Sequence, residues 1–429
     1  MLLRLAFEIR ANVGIFRPLR RRHRSFDLGA VLKQFFRKAA ALFNRPDKWW
    51  RWAWTVWIIL AVLAVGRAGL RHLPRHQGCY VVFADGGRHW LHGEDLYDSA
   101  NPDSLTVFRY SPLVAVVLTP LALMPDVLGD ACMRTVGLLV LLPALLWWSR
   151  TALPASLTRE QRSIFFLLIA LMTNESLMDV QLNILTIGFM LIAMAACSTE
   201  RWTIGALAAS LACCFKAYPI ALAVVLALVF PRKFAWRFAL MLACCLAAPF
   251  ALQRPDYVWH QYEEWFRWGL NQRGGQQVDW FQDFMLFWRR WIGPMERSTY
   301  FRIEVLTGAA VAVICLIQRF RGASRQGLLN SIFGLCCGWM MAFGPATEPT
   351  TYIMLAPAVA GAMMIMRVFP QPIWYRAAVL TTCTLLAAAQ LQLLFPLGRP
   401  FHHWGAQPFA AVLFMIAVAF RGLGDLRKT

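Results

Sequence analysis

Apolar runs dominate the chain. Trp54–Val65, Thr135–Leu146, Ile184–Ala196 and Ala217–Phe230 are examples, and only short polar breaks separate one run from the next. A straight helix through a bilayer core needs about 20 apolar residues, fewer where it stops at an internal cavity. Several runs here are on the short side, which predicts broken or tilted helices around a polar cavity. The fold class expected is an all-α polytopic membrane protein.

The polar breaks set the expected topology. Breaks rich in Lys/Arg fall at Arg150–Arg162, Arg201, Arg232–Arg237, Arg319–Arg325, Arg367–Arg376 and Arg421–Lys428. Between them lie breaks poorer in basic residues: Asn174–Gln181, Lys216–Pro219, Pro345–Thr350 and Phe395–Trp404. The alternation closes if Pro112–Met124, with Pro112, Pro120 and the following Pro125, is a partial segment that returns to the outer side. About twelve crossings follow, with both termini cytoplasmic. The expected organisation is a basic segment over 1–51, a transmembrane domain over 52–422 and a tail over 423–429. Two large outer loops are expected at about 71–110 and 253–301.

Composition sharpens this picture. Of 429 residues, 59% are hydrophobic and 15% charged, against roughly 45–50% and 25% in soluble domains. A net charge of +20 would suggest nucleic acid in a soluble protein. Here thirteen Lys/Arg lie between Arg4 and Arg51 against Glu8, Asp27 and Asp47, the pattern of a cytoplasmic N-terminus. No nucleic-acid partner is implied. Phe26–Asn44 groups Leu28, Val31, Leu32, Phe35 and Phe36 near one helical face, which reads as an interfacial helix on anionic lipid or as a disordered basic tail. All of the eleven cysteines except Cys79 lie in or beside apolar runs, where they behave as small hydrophobes. The first apolar run, without a cleavage site, reads as a retained anchor.

Unusual polar residues of the apolar region fall on the expected outer face: Asp85, Arg109, Gln181, Asn183, Lys216 and Glu348. A shared outward cavity is the economical explanation. Helical spacing groups Asp85 with Arg88 and His89, and Asp85 is either a general base for a hydroxyl or a loop acid paired with Arg88. Lys216 sits between two apolar runs, where an unpaired ammonium costs about 2.5–3.5 kcal/mol. A phosphate ligand would offset that, as would snorkelling to the headgroups. Arg109, beside Tyr110, is a second phosphate clamp or an ordinary interfacial arginine. Gln181 and Asn183 suit sugar hydroxyls, because an amide both donates and accepts, and they suit interhelical bonding equally. Glu348, in the stretch that runs to Tyr352, is a sugar ligand, a rival base or a helix cap. Trp259, Trp265, Trp268, Trp280, Trp288 and Trp291 in the second outer loop fit an interfacial belt or a guide for a lipid substrate. Nothing resembles a metal-binding motif.

Several stretches together resemble glycosyltransferase family 87: Gly93-Glu-Asp-Leu-Tyr97, Phe108-Arg-Tyr-Ser-Pro-Leu113 and Pro120-Leu-Ala-Leu-Met-Pro125. Gln181-Leu-Asn183, Phe215-Lys-Ala-Tyr-Pro219 and Gly275-Gln-Gln-Val278 agree in order and spacing over roughly 52–370. The resemblance implies a C-type glycosyltransferase fold and an inverting transfer of a hexose, mannose first, from a polyprenyl-phosphate sugar to a lipid- or glycan-linked hydroxyl. It implies no cofactor beyond that donor, no required metal, and an active site on the outer face of a bacterial inner membrane. Residue chemistry and the resemblance together make Lys216, Tyr218, Arg109, Tyr110, Gln181, Asn183, Gln276, Glu348 and Tyr352 the expected substrate-binding set; of these, Glu348 and Tyr352 lie outside the matching stretches. Where many members carry an Asp at the start of the loop helix, this sequence has Cys79, and Gly275 replaces an Asn. Asp85, on the next helix turn, then becomes the expected base. The competing class is a flippase of a lipid-linked sugar. A flippase would want polarity through the whole thickness and an internal repeat, whereas polarity here is one-sided.

Overall fold

A computed structural model describes residues 48–70, 78–97, 108–271, 281–345, 347–391 and 403–424. Phe26–Asn44, Gln276 and the end of the expected tail lie outside the described residues. All regular structure among the described residues is helical. The first half carries α1 (Lys48–Arg67), α2 (Tyr80–His92), α3 (Pro112–Ala122), α4 (Asp126–Thr151), α5 (Arg159–Met178), α6 (Asn183–Ser198), α7 (Trp202–Phe215) and α8 (Ile220–Val229). The second carries α9 (Trp236–Ala247), α10 (Pro255–Asn271), α11 (Phe284–Trp291), α12 (Arg297–Phe320), α13 (Arg325–Phe343), α14 (Ala356–Val368), α15 (Ile373–Leu391) and α16 (Ala406–Gly424).

Seven helices, α1, α4, α9, α12, α13, α14 and α16, are long and apolar enough to cross a membrane, some with short flanking turns. Four more, α3, α6, α7 and α8, are apolar but shorter. Their outer surfaces are apolar as well. α1 exposes Ile58, Ile59, Val62 and Leu63, and α12 exposes Val305, Leu306 and Val313. Scattered apolar side chains are ordinary on a soluble surface, but apolar belts along several helices are not. Lipid is the solvent that accepts them, and the chain is a polytopic membrane protein.

α6 and α13 form the inside of the bundle. α6 packs on α4 and α7, and α13 packs on α16, α12 and α8. Small residues on α6 and α7, such as Ala193, Ala206 and Ala209, are fully or nearly fully buried there. Helix starts follow capping chemistry. Thr158 and Gln161 form a reciprocal capping box at α5, and Ser324 accepts from Gly327 N at α13. α3 begins with Pro112 at its first turn and has Pro120 near its end, so it stays at 11 residues.

α2, α3 and α10 form a cap with its own core, which includes Tyr80, Phe83, Trp90, Tyr97, Phe108 and Tyr257. α2 ends at Gly93, whose φ of 71° suits glycine. The cap joins the two large loops. Leu96 N donates to Gln261 Oε1 at 2.9 Å, Tyr257 Oη donates to the Glu94 carbonyl at 2.7 Å, and Gln253 Nε2 donates to the Trp90 carbonyl at 3.0 Å.

Candidate active site

The site begins where α5 stops. Arg134, fully buried on α4, donates from Nη1 to the carbonyls of Leu177 at 2.7 Å and Met178 at 3.0 Å. These are carbonyls that the helix end would otherwise leave unsatisfied. Asp130, one turn back, holds the guanidinium at 2.6 Å, and both side chains have zero exposure. The chain then turns through Val180, a buried β-branched residue at φ 56°. That left-handed conformation is rare for such a residue and costs roughly 1–2 kcal/mol. Strain of this kind collects at functional sites. Here it brings the Asp179 carbonyl to Cys79 N, at 3.0 Å. Gln181 Nε2 then reaches Cys79 Sγ at 3.0 Å and Glu348 Oε2 at 3.3 Å.

Glu348 comes from the far part of the sequence. α13 runs to Phe343, and Glu348 leads into a 3-10 turn, Pro349–Met354, with its backbone N–H donating to Thr351 Oγ1 at 3.3 Å. Three elements hold that turn. Ser176 Oγ donates to the Thr350 carbonyl, Gln407 Nε2 donates to the Pro349 carbonyl at 3.3 Å, and Asn183 Nδ2 donates to Thr350 Oγ1 at 3.5 Å. Tyr218 Oη closes the set on Asn183 Oδ1, at 3.5 Å.

The cations arrive from a third direction. α7 stops at Lys216, whose backbone is extended, and Pro219 opens α8. The Lys216 ammonium lies over the Tyr218 ring at 5.6 Å. Ser111 Oγ donates to the Cys214 carbonyl at 2.7 Å, which ties the Arg109–Ser111 stretch to the same turn. Burial pushes the Cys79 thiol up to about 12, with further upward push from Glu348 and Asp179 and an opposing pull from Lys216 and Arg109. Asp179 is also raised, by burial first, although Arg67 and Arg134 pull it down. Cys79 is therefore a neutral thiol at the centre of two carboxylates and two cations.

The structure thus gathers Gln181, Lys216, Arg109, Tyr110 and Glu348 around Cys79, with Tyr218 under the Lys216 ammonium and Asn183 bonded to Tyr218 and Thr350. Asp85 lies about 9 Å further along α2 by helix rise. There it bonds Arg88 at 3.0 Å, and Arg88 in turn binds Asp126. His89, expected beside it, faces Glu94 at 3.7 Å. Tyr352 is buried, and its hydroxyl donates to the carbonyls of Gln282 at 2.8 Å and Met341 at 3.2 Å, so it fastens the second large loop to α13. Gln276 lies outside the described residues. Sequence reasoning passed over Asp130, Arg134, Asp179 and Val180. The acid and base four apart in an apolar helix, Asp130 and Arg134, are a readable sign of a membrane ion pair. Val180 offers no such sign. Among the described residues no group of three or more His, Cys, Asp or Glu is placed to hold a metal.

Chemically, the cluster offers two carboxylates, Glu348 and Asp179, two cations suited to a phosphate, and amide and phenol groups suited to hydroxyls. The sequence model of glycosyltransferase family 87 matches residues 108–344, more than half of the chain. No curated protein matches it.

Proposed function

The chain belongs to glycosyltransferase family 87 and is a membrane glycosyltransferase; from that premise we propose that it moves a hexose, mannose first, from a polyprenyl-phosphate sugar to an acceptor hydroxyl. The acceptor is lipid- or glycan-linked, and transfer takes place on the outer face of an inner membrane. The observation that carries this reading is the meeting of Glu348 with Gln181 at 3.3 Å beside Lys216 and Arg109. A base and a phosphate clamp stand together, at helix ends rather than in mid-bundle.

In this reading Glu348, rather than Asp85, takes the proton of the acceptor hydroxyl. The acceptor oxygen bonds the anomeric carbon while the bond from that carbon to the phosphate oxygen breaks. Its electron pair leaves on the polyprenyl phosphate, and the anomeric configuration inverts. Lys216 and Arg109 hold the growing phosphate charge, so no general acid is needed. The resemblance puts an acid at Cys79, and Glu348 stands close enough to the thiol to raise it. Glu348, at the start of the Pro349–Met354 turn, brings a carboxylate to the same Gln181 amide that Cys79 meets.

A C-type fold with about twelve crossings accommodates this. Seven helices are long and apolar enough to cross; the reading counts α5, α6, α7, α8 and α15 as further crossings and α3 as a partial segment. The Lys/Arg-rich breaks would face the cytoplasm, as would both termini. The test is transfer of label from radiolabelled polyprenyl-phosphate mannose to membrane lipid by the purified chain in nanodiscs. Glu348→Gln should bind donor yet lose about 10²–10⁴-fold in transfer, while Asp85→Asn keeps activity within a few-fold. The opposite result puts the base on α2. No transfer to any lipid or glycan acceptor by the wild type sinks the proposal.

A further inference from the structure

Asp179 follows the last residue of α5, and its backbone is pinned on both sides. Its N–H donates to the Glu175 carbonyl at 3.0 Å, and its carbonyl accepts from Cys79 N at 3.0 Å. Gly78, at φ 58°, permits that approach, because a Cβ there would stand 3.2 Å from the Asp179 carbonyl oxygen. The side chain is far less committed. Among the described residues its carboxylate pairs with Arg67 Nη2 at 3.7 Å, too long for a direct hydrogen bond, and takes no other bond. It is 38% exposed, so its lone pairs can be reached by a ligand. Helix stability gives no reason for an acid here. The C-terminal end of a helix carries the negative end of its dipole, which repels a carboxylate, and burial disfavours the charge further. Arg67, at the end of α1, and Arg134 oppose both effects. We propose that Asp179, oriented by Arg67, binds a second hydroxyl of the acceptor, next to the one that is glycosylated, so that the acceptor is a vicinal polyol and not a simple alcohol. This rests on the transferase reading and narrows its acceptor.

Position assigns Asp179 to the acceptor and not to the donor phosphate. Inversion requires the attacking oxygen to approach the anomeric carbon on the face opposite the departing phosphate. Lys216 and Arg109 take that phosphate and Glu348 takes the proton, so the acceptor lies on the Glu348 side of the site. Glu348 is an electrostatic neighbour of both Lys216 and Asp179. The other charged neighbours differ: Lys216 has Arg109, whereas Asp179 has Arg67 and Arg134. Asp179 therefore joins the base and stands apart from the phosphate cations. One turn of chain ties the two acids together. Gln181, bonded to Glu348 at 3.3 Å, lies two residues past Asp179, and the strained Val180 joins them. Two neighbouring hydroxyls suit two carboxylates. One gives its proton to Glu348 and becomes the new glycosidic oxygen. The other stays intact and donates to Asp179, in a charge-assisted bond roughly twice as strong as a neutral one. A simple alcohol would leave Asp179 unmet, and a site built for a hydroxyl discriminates against a ligand without it.

The experiment uses the full chain in nanodiscs, with hexyl mannoside, its monodeoxy analogues and n-hexanol as acceptor probes. Transfer from radiolabelled polyprenyl-phosphate mannose is measured beside binding of each probe without donor, read by tryptophan fluorescence. Hexanol should be the poorest probe in both. Loss of one hydroxyl, adjacent to the position that product mass spectrometry shows to be glycosylated, should lower kcat/KM and probe affinity about 10–100-fold, the scale of a hydrogen bond to a charged group. Asp179→Asn should cost hexyl mannoside a similar factor, and the same deoxy analogue should then lose little more, because its missing hydroxyl has no charged partner left. Arg67→Gln should weaken the discrimination a few-fold. Donor binding, read by native mass spectrometry, should be kept in both variants, and Asp256→Asn, on the exposed side of α10, should change nothing. Equal use of hexyl mannoside and all its analogues by the wild type would overturn the proposal, as would discrimination that survives Asp179→Asn or a wild type that neither binds nor glycosylates hexyl mannoside. If Asp179→Asn fails to bind donor, it has not folded, and unaltered discrimination in Arg67→Gln overturns the proposal instead. A protein that transfers no sugar yet binds hexyl mannoside through Asp179 refutes the transferase and keeps the subsite. One that transfers sugar and ignores Asp179 does the reverse.

Discussion

Replacing Arg134 by Met should damage the protein twice over, and the two effects can be separated. The guanidinium makes four bonds, two to Asp130 at 2.6 and 3.4 Å and two to the carbonyls that end α5. Met keeps most of the volume, so the loss is electrostatic. Removing one partner of a buried pair typically costs about 3–5 kcal/mol, because the other charge stays in a medium that solvates it poorly. The two carbonyls add to this, though less than additively, since the bonds form one network. In the double variant Arg134→Met/Asp130→Asn both charges of this pair are gone. Only the carbonyl loss of about 1–3 kcal/mol should persist, so the double variant should be more stable than the single. Thermal unfolding in nanodiscs, followed by tryptophan fluorescence, reads this as a drop of several degrees in the single variant and a smaller one in the double. Transfer should follow a different order. Both variants release the end of α5, and with it Val180 and the Gln181 amide that meets Glu348, so both should stay impaired. A single variant as stable as wild type, or a double less stable than the single, would refute the argument.

Lys216→Ala should lower donor turnover about 10²-fold, the scale of one preorganised electrostatic contact, with Lys216→Arg recovering part. Normal turnover would mark Lys216 as a headgroup anchor. Gly129→Ala places a Cβ 1.8 Å from Tyr80 Oη and 2.6 Å from the Leu121 carbonyl oxygen. It should break the 2.9 Å bond between those two groups and destabilise the cap by about 1–3 kcal/mol, read as faster proteolysis of the loops. Asp283 caps α11 through Leu286 N at 2.9 Å, and burial holds its carboxyl up at about 6 against an ordinary 3.8. Its folded pKa lies above the unfolded one, so its contribution is complete below pH 3.8 and is lost as pH rises through about 6. Asp283→Asn, which keeps the cap acceptor, should therefore raise the unfolding temperature at pH 8 and not at pH 4. An equal gain at both pH values would show that the charge is irrelevant.

What the sequence determined by itself is what periodicity, composition and local backbone chemistry control. Apolar runs dictate helices in lipid, and prolines at 112 and 120 shorten one of them to Pro112–Ala122. A Lys followed by Pro219 breaks the chain between α7 and α8. The presence of Gln181, Lys216 and Glu348 at polar breaks of one kind was legible for the same reason, since each break is a local event. Which carboxylate meets the cations was not legible. Asp85 and Glu348 look alike as isolated acids, and their difference is a matter of partners. Glu348 reaches Gln181 across 167 residues of sequence, whereas Asp85 meets Arg88 three residues away. The left-handed turn at Val180 and the closure of α5 by Arg134 are likewise products of packing. Nothing in a valine favours φ 56°, and no local rule sends an arginine to the end of a neighbouring helix. These features exist because α4, α5, α6 and α13 meet in one register. That register is set by burial and polar pairing summed over several helices, and no single segment contains that sum.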